Sequence, residues 1–360
     1  MLRDLVECES PSDDPSAINR FLELLSDLAA PYAKLKIISG GRFGNHLLCE
    51  FPAAKRGGGQ TLVLSHSDTV WPMGTLKTMP FREAAGRLWG PGTLDMKGGI
   101  AIVLFAMRAL KELEIPLPRK VLLQVNSDEE IGSPSSRALT EKNAVASSAV
   151  YVVEPGTGLA GKLKTARKGV GAYTVTVYGR AAHAGVDFGN GASAIVEISR
   201  QIEKIAGFTN LNRGITVNPG VISGGTRSNV IAAQATAYVD IRIQRSKDFM
   251  ALERQFQSLK PFDKRCTISV TGGLNRPPME RSAGTIALYR TAQKIAKSMG
   301  LEIDESATGG GSDGNFTAAL GVPTLDGLGP VGEGAHAPNE SILIDRVPDR
   351  IALFAGLMSH

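Results

Sequence analysis

With 360 residues, 42% of them apolar, the chain carries enough core-forming material for two domains, which excludes a disordered or fibrous class. The net charge of +5 is spread without a Lys/Arg block or a basic helix, so nucleic acid is not an expected partner and an anionic small substrate is favoured. Cys8, Cys49 and Cys266 form no CxxC pair and no complete disulfide framework, and no apolar run approaches the ~18 residues of a membrane span; with no basic-then-apolar leader visible, a cytoplasmic protein without membrane contact is expected.

Residues 16–30 space Ile18, Phe21, Leu22, Leu25 and Leu28 at helical intervals, and Pro31 ends the pattern. TLVLSHSD (61–68) then reads as a buried strand, followed by the long apolar helix GGIAIVLFAMRALKEL (98–113). VLLQVNSDEE (121–130), AVYVVEPG (149–156) and VPTLDGLG (322–329) are further strands that run into polar or glycine-rich sequence. This alternation predicts an α/β fold with a mainly parallel sheet, whose ligands gather beyond the carboxyl ends of the strands. The middle of the chain has another rhythm: strands at 172–179, 215–222, 230–243 and 266–272, with helices at 192–207 and 248–260. That is a βαββαβ order, predicting an inserted ferredoxin-like domain over residues 168–278, while 1–167 and 279–360 form the catalytic domain.

Three of the five histidines, His66, His183 and His336, stand where a strand or loop ends, and Asp68, Asp95, Glu129, Glu130 and Glu154 occupy matching places. Unpaired, such acids would repel one another and rise in pKa, and a divalent metal removes that problem. Imidazole and carboxylate without cysteine is the donor set of a catalytic zinc site and also admits cobalt or manganese. Successive strand residues point to opposite faces, so Glu129 and Glu130 can serve one site only if the strand has ended and the chain turns at Ile131 and Gly132. A single strand-end acid is ordinarily a solvated loop residue, and it is the set that argues for a site. His46, His360 and Asp128 are read as structural, with Asp128 a lead-in to the pair. GGGSDG (309–314) lacks the GK[ST] ending of a phosphate-binding loop.

Taken in order, the motifs HxD (66–68), GxxDMKGG (92–99), DEE (128–130), EPG (154–156), HAG (183–185), RSNVI (227–231), GGGSDG and GAH (334–336) resemble the M20-type dizinc metallopeptidase family of glutamate carboxypeptidase, aminoacylase, acetylornithine deacetylase and succinyl-diaminopimelate desuccinylase. The resemblance covers nearly the whole chain and is nearest to the glutamate carboxypeptidase branch. It implies two Zn2+, with Co2+ or Mn2+ able to substitute: His66 and Glu154 on one, Glu130 and His336 on the other, and Asp95 between them. Three negative charges then face two dications, and Glu129 is left as general base for amide hydrolysis. Asp68 is implied as the acid that orients a ligating imidazole. His183, Asn229 and Arg242 of the inserted domain are implied to bind the oxyanion or substrate carboxylate, in a homodimer formed through that domain, which acts as a lid. Lys162, Arg276 and the loop carrying Gly310 and Ser312 match positions that contact a glutamate substrate in that branch. The expected activity is release of a C-terminal amino acid, glutamate foremost, from a small peptide or N-acyl amino acid. The alternatives are an N-acyl-amino-acid deacylase and a non-catalytic metal-retaining binding protein.

Overall fold

The buried runs assemble into one six-stranded mixed sheet, with spatial order Lys34–Ser39, Asn45–Phe51, Lys120–Asn126, Gln60–His66, Ala149–Val152 and Thr324–Leu325. The last four run parallel, and the first two add antiparallel at one edge. The computed structural model describes residues 1–54 and 58–360. Every residue of Gln60–His66 is buried, because the sheet is covered on both faces. Leu62 and Leu64 pack with Leu122, Val150 and Val152 on one side, and Val63 packs into the larger cluster that includes Ile100, Val103 and Leu104 on the other.

Helix Pro15–Ala29 starts at Asp14, whose side chain accepts from Ala17 N, and has Pro15 in its first turn, where a missing N–H costs nothing. It buries Ile18, Phe21, Leu22 and Leu25, each contributing roughly 1.5–3 kcal/mol by removal from water. Helix Gly98–Glu112 approaches the sheet more closely. A Cβ on Gly99 would lie 2.1 Å from the carbonyl oxygen of Val153, so only glycine lets the helix start against that strand end. No helix among the described residues is long and apolar enough to cross a membrane.

The chain divides into two units, one of Met1–Ala166, Arg281–Thr308 and Ser312–His360, the other of Arg167–Glu280 and Gly309–Gly311. The smaller unit is the βαββαβ arrangement, with strands in the order Thr216–Gly224, Gln234–Ile243, Gly169–Tyr178, Thr267–Arg276, all antiparallel. Strand Gly169–Tyr178 alternates buried and more exposed residues, as a sheet with one covered face requires. Its inward residues Tyr173, Val175 and Val177 pack with Ile198, Leu252 and Phe256 from helices Ala194–Ala206 and Phe249–Gln257.

Two details depart from the sequence reading. The smaller unit begins and ends one or two residues outside 168–278, and it includes Gly309–Gly311. Its side chains hold that stretch: Arg167 Nη1 donates to the carbonyls of Gly310 (3.2 Å) and Gly311 (2.9 Å), and Arg242 Nη1 to that of Gly309 (3.3 Å). The larger unit also contains a small four-stranded sheet, Gly332–Glu333, Ser341–Leu343, Arg87–Trp89 and Arg82–Ala84. Strands of two or three residues are too short to show a period of two.

Candidate metal centre

Sheet register sets the site. His66 is the last residue of its strand and pairs with Asn126, while Leu64 pairs with Val152, so Glu154, two residues further on, is level with His66. Strand Lys120–Asn126 has ended before the acids begin, and the chain turns as Gly132 N donates to Glu129 O (2.9 Å) and Ser133 N to Asp128 O (2.8 Å). Asp95 lies in Thr93–Lys97, directly before helix Gly98–Glu112. His336 lies between strands Gly332–Glu333 and Ser341–Leu343 with φ of 62°, a left-handed conformation costing roughly 1–2 kcal/mol for a residue with a Cβ.

These segments bring four acids and two imidazoles together. His66 Nε2 is 3.2 Å from Asp95 Oδ1 and 3.5 Å from Glu154 Oε1. His336 Nε2 is 3.4 Å from Asp95 Oδ2 and 3.2 Å from Glu130 Oε1. Each oxygen of Asp95 thus faces a different imidazole, and each imidazole has its own glutamate. Glu129 offers an oxygen within 4.8 Å of both His66 and Glu154.

Asp68 is fully buried and holds the backbone as well as the ring. The close partner of His66 Nδ1 is the Asp68 main-chain carbonyl at 2.9 Å, and the Asp68 carboxylate is 3.4 Å away. Donation from Nδ1 fixes the ring so that Nε2 faces Asp95 and Glu154. The Asp68 carboxylate accepts the amides of Glu129 (3.2 Å) and Glu130 (3.1 Å) and the hydroxyl of Ser12 (2.9 Å). One acid therefore fixes the turn that aims two others.

Electrostatics follow from the crowding. Burial works against a charge on His66, but hydrogen bonds to Asp68, Asp95 and Glu154 raise its pKa well above the ordinary value. Hydrogen bonds to Asp95 and Glu130 push His336 up to about 10. Burial opposes ionisation of Asp95, yet its bonds to His336 and His66 hold it well below the usual carboxylate range, whereas burial raises Glu130. The carboxylates thus draw positive charge onto the imidazoles, a demand that divalent cations meet with nitrogen and oxygen donors and no thiolate. The donor set fits such ions.

Asp128 proves to be more than a lead-in. It is fully buried, and its Oδ2 accepts from Ser135 N (2.6 Å), Ser135 Oγ (2.6 Å) and Ser136 N (3.3 Å), closing the loop that carries Glu129 and Glu130. His46 is also buried, with Nδ1 accepting from Ser127 N (3.2 Å) at the root of the same loop. The serines of GSPSS (132–136) were the available signal, since Asp and Ser close loops of this kind through backbone amides.

The remaining expected residues lie elsewhere. In the larger unit, Lys162 is 3.3 Å from Asp304, and Ser312 is fully buried with its hydroxyl donating to Asp326 (2.6 Å). In the smaller unit, Arg242 is bidentate to Asp240 through Nε (2.9 Å) and Nη2 (2.9 Å), Arg276 is buried with Nη1 donating to Asn275 (3.0 Å), and Asn229 and Gly310 are exposed. His183 is exposed, and its Nδ1 accepts from the amides of Gly185 and Val186, both at 3.1 Å. A neutral ring in that setting carries its proton on Nε2 and presents it as a donor.

Residues 62–360 match the profile of Peptidase family M20/M25/M40. The chain is similar to carboxypeptidase G2 of Pseudomonas sp. (strain RS-16), 31% identical over 99% of this chain and 87% of that protein. It is 26% identical to the acetylornithine deacetylase of Erwinia tasmaniensis, over 99% and 96% of the two chains. The solved aminopeptidase PepT of Bacillus cereus ATCC 10987 shares the fold with a TM-score of 0.82 at 23% identity, over 99% of this chain and 96% of that one. The ordered motifs, the cluster around Asp95 and these matches together establish that the chain belongs to the M20/M25/M40 peptidase family and is a hydrolase of metallopeptidase type.

Proposed function

We propose that the protein is a two-metal carboxypeptidase that releases a C-terminal acidic amino acid, glutamate by preference, from a small peptide or N-acyl amino acid. The observation that carries this reading is Asp95, whose two oxygens face His66 and His336 separately, with Glu154 beside one ring and Glu130 beside the other. In this reading His66, Glu154 and Asp95 would hold one Zn2+ and His336, Glu130 and Asp95 the second, with Co2+ or Mn2+ able to replace it. When bound, such ions supply Lewis acidity toward the scissile carbonyl and favour deprotonation of water near neutral pH.

The chain's own groups do the rest. Glu129, next to the ligands but not needed to complete either set, takes a proton from the attacking water and delivers it to the leaving nitrogen. Asp68 keeps Glu129 aimed through its amide. His183 donates from Nε2 to the oxyanion, acting across a homodimer formed by the smaller unit, and Asn229 and Arg242 assist it at the substrate carboxylate. Lys162 and Arg276 supply positive charge for an acidic side chain, and Gly310 and Ser312 belong to the loop at that end of the substrate. The similarity to carboxypeptidase G2 supports the carboxypeptidase reading, and that to acetylornithine deacetylase supports a deacylase as the second.

A substrate panel separates them. Metal-loaded protein should hydrolyse N-acyl-glutamate with kcat/KM at least roughly tenfold above N-acyl-arginine and N-acyl-leucine, a gap of about 1.4 kcal/mol. Chelation should abolish turnover and Zn2+, Co2+ or Mn2+ restore it. Preference for N-acyl-arginine or N-acyl-leucine moves the assignment to the deacylase, and turnover indifferent to chelator overturns the metal mechanism.

A further inference from the structure

Glu340, four residues after His336, belongs to none of the ligand sets, yet it is 0% exposed and its carboxylate is surrounded by four N–H donors. Oε1 accepts from Leu94 N (2.8 Å) and Asp95 N (3.0 Å), and Oε2 accepts from Gly92 N (2.9 Å) and Trp71 Nε1 (2.7 Å). Three of these donors are the main chain of the Asp95 loop, and the fourth is in the loop that leaves His66. Its own main chain is tied as well, with Glu340 N donating to Ala337 O (2.9 Å) and its carbonyl accepting from Gly90 N (3.3 Å). The loops bearing His66, Asp95 and His336 therefore meet on one side chain.

The number of acceptor oxygens matters to this arrangement. A carboxylate offers two acceptor oxygens of equal quality, and four donors fill them without an N–H left facing another donor. A glutamine of the same size would accept through one oxygen and turn an NH2 group toward N–H groups, leaving buried donors without acceptors. The Asp95 amide is one of the four, so its backbone position is set by Glu340.

We propose that Glu340 is the positioning residue for the shared acid: it holds the Asp95 loop so that the two Asp95 oxygens face His66 and His336 together, and so sets how tightly a pair of ions is bound. This rests on the reading of Asp95 as a ligand common to two ions. Residues that orient metal ligands typically change affinity by roughly 10- to 100-fold when replaced.

The test is a titration of metal-stripped protein with Co2+, followed by calorimetry and by visible absorption, for wild type, Glu340→Gln and Trp71→Phe. Wild type should take up two Co2+ per chain. Glu340→Gln should weaken at least one Co2+ by roughly tenfold or more and shift the visible bands, which report ligand geometry, while Trp71→Phe, losing a single donor, should give a smaller change in the same direction. If Glu340→Gln fails to fold by circular dichroism, Trp71→Phe decides the matter alone. Folded variants that bind two Co2+ with wild-type affinity and spectrum overturn the positioning role. Wild type that binds fewer than two overturns the shared-ligand reading itself, an outcome visible before any variant is compared.

Discussion

Glu129 and Glu130 are adjacent in sequence but have different surroundings. Glu130 is 3.2 Å from His336, whereas Glu129 lies beside His66 and Glu154, the pair that Asp95 is proposed to complete as a ligand. Glu129→Gln should therefore keep two metal ions per chain by elemental analysis while kcat falls by roughly 10²–10⁴-fold. Loss of metal together with activity would instead place Glu129 among the ligands. The acids and histidines were legible because their types, order and strand-end positions carry the chemistry. What the Asp68 carboxylate and Glu340 do was not legible: each accepts backbone N–H groups from segments far away in sequence, and those amides converge only after the loops have closed, whereas the donors to Asp128 lie seven and eight residues on. The left-handed backbone of His336 was equally hidden, since Gly334, Pro338 and Asn339 mark a turn without saying which residue adopts the left-handed conformation.

Among the elements, helix Gly98–Glu112 and strand Gln60–His66 were legible because long apolar runs report burial on both sides. The edge strand Lys34–Ser39, with four of six residues exposed, gave no such signal. The contact between that helix and the sheet has a sharp consequence. An added methyl at Gly99 meets the Val153 carbonyl at 2.1 Å, and Val153 directly precedes Glu154. Gly99→Ala should lower stability by about 1–3 kcal/mol through overpacking, read as a drop in Tm of the metal-free protein. The same displacement should weaken metal binding in a Co2+ titration. Gly189→Ala, where an added Cβ meets nothing within 4 Å, should stay within about 0.5 kcal/mol of wild type.

For the whole molecule, the order of units was legible from the change of rhythm near residue 168, but oligomeric state was not. Strand Thr216–Gly224 is an edge of the smaller sheet, and it leaves Val221 58% and Ile222 55% exposed. Natural sheets seldom leave such an edge bare, which supports the proposed homodimer. Wild type should sediment at twice the chain mass, and Val221→Lys combined with Ile222→Lys should give a monomer. Because His183 is proposed to act across the dimer, kcat/KM should fall in the same variant, and a monomeric wild type with full turnover would remove the dimer from the mechanism. The glycine stretch Gly309–Gly311 was outside the expected insert altogether, because its allegiance depends on Arg167 and Arg242. The chain consequently passes between the units four times instead of two. The smaller unit is thus no cassette: a chimaera that transplants residues 168–278 into a relative would leave behind both Arg167 and the three glycines that Arg167 and Arg242 hold, and grafts should be cut to carry Arg167 and the distant glycines with them.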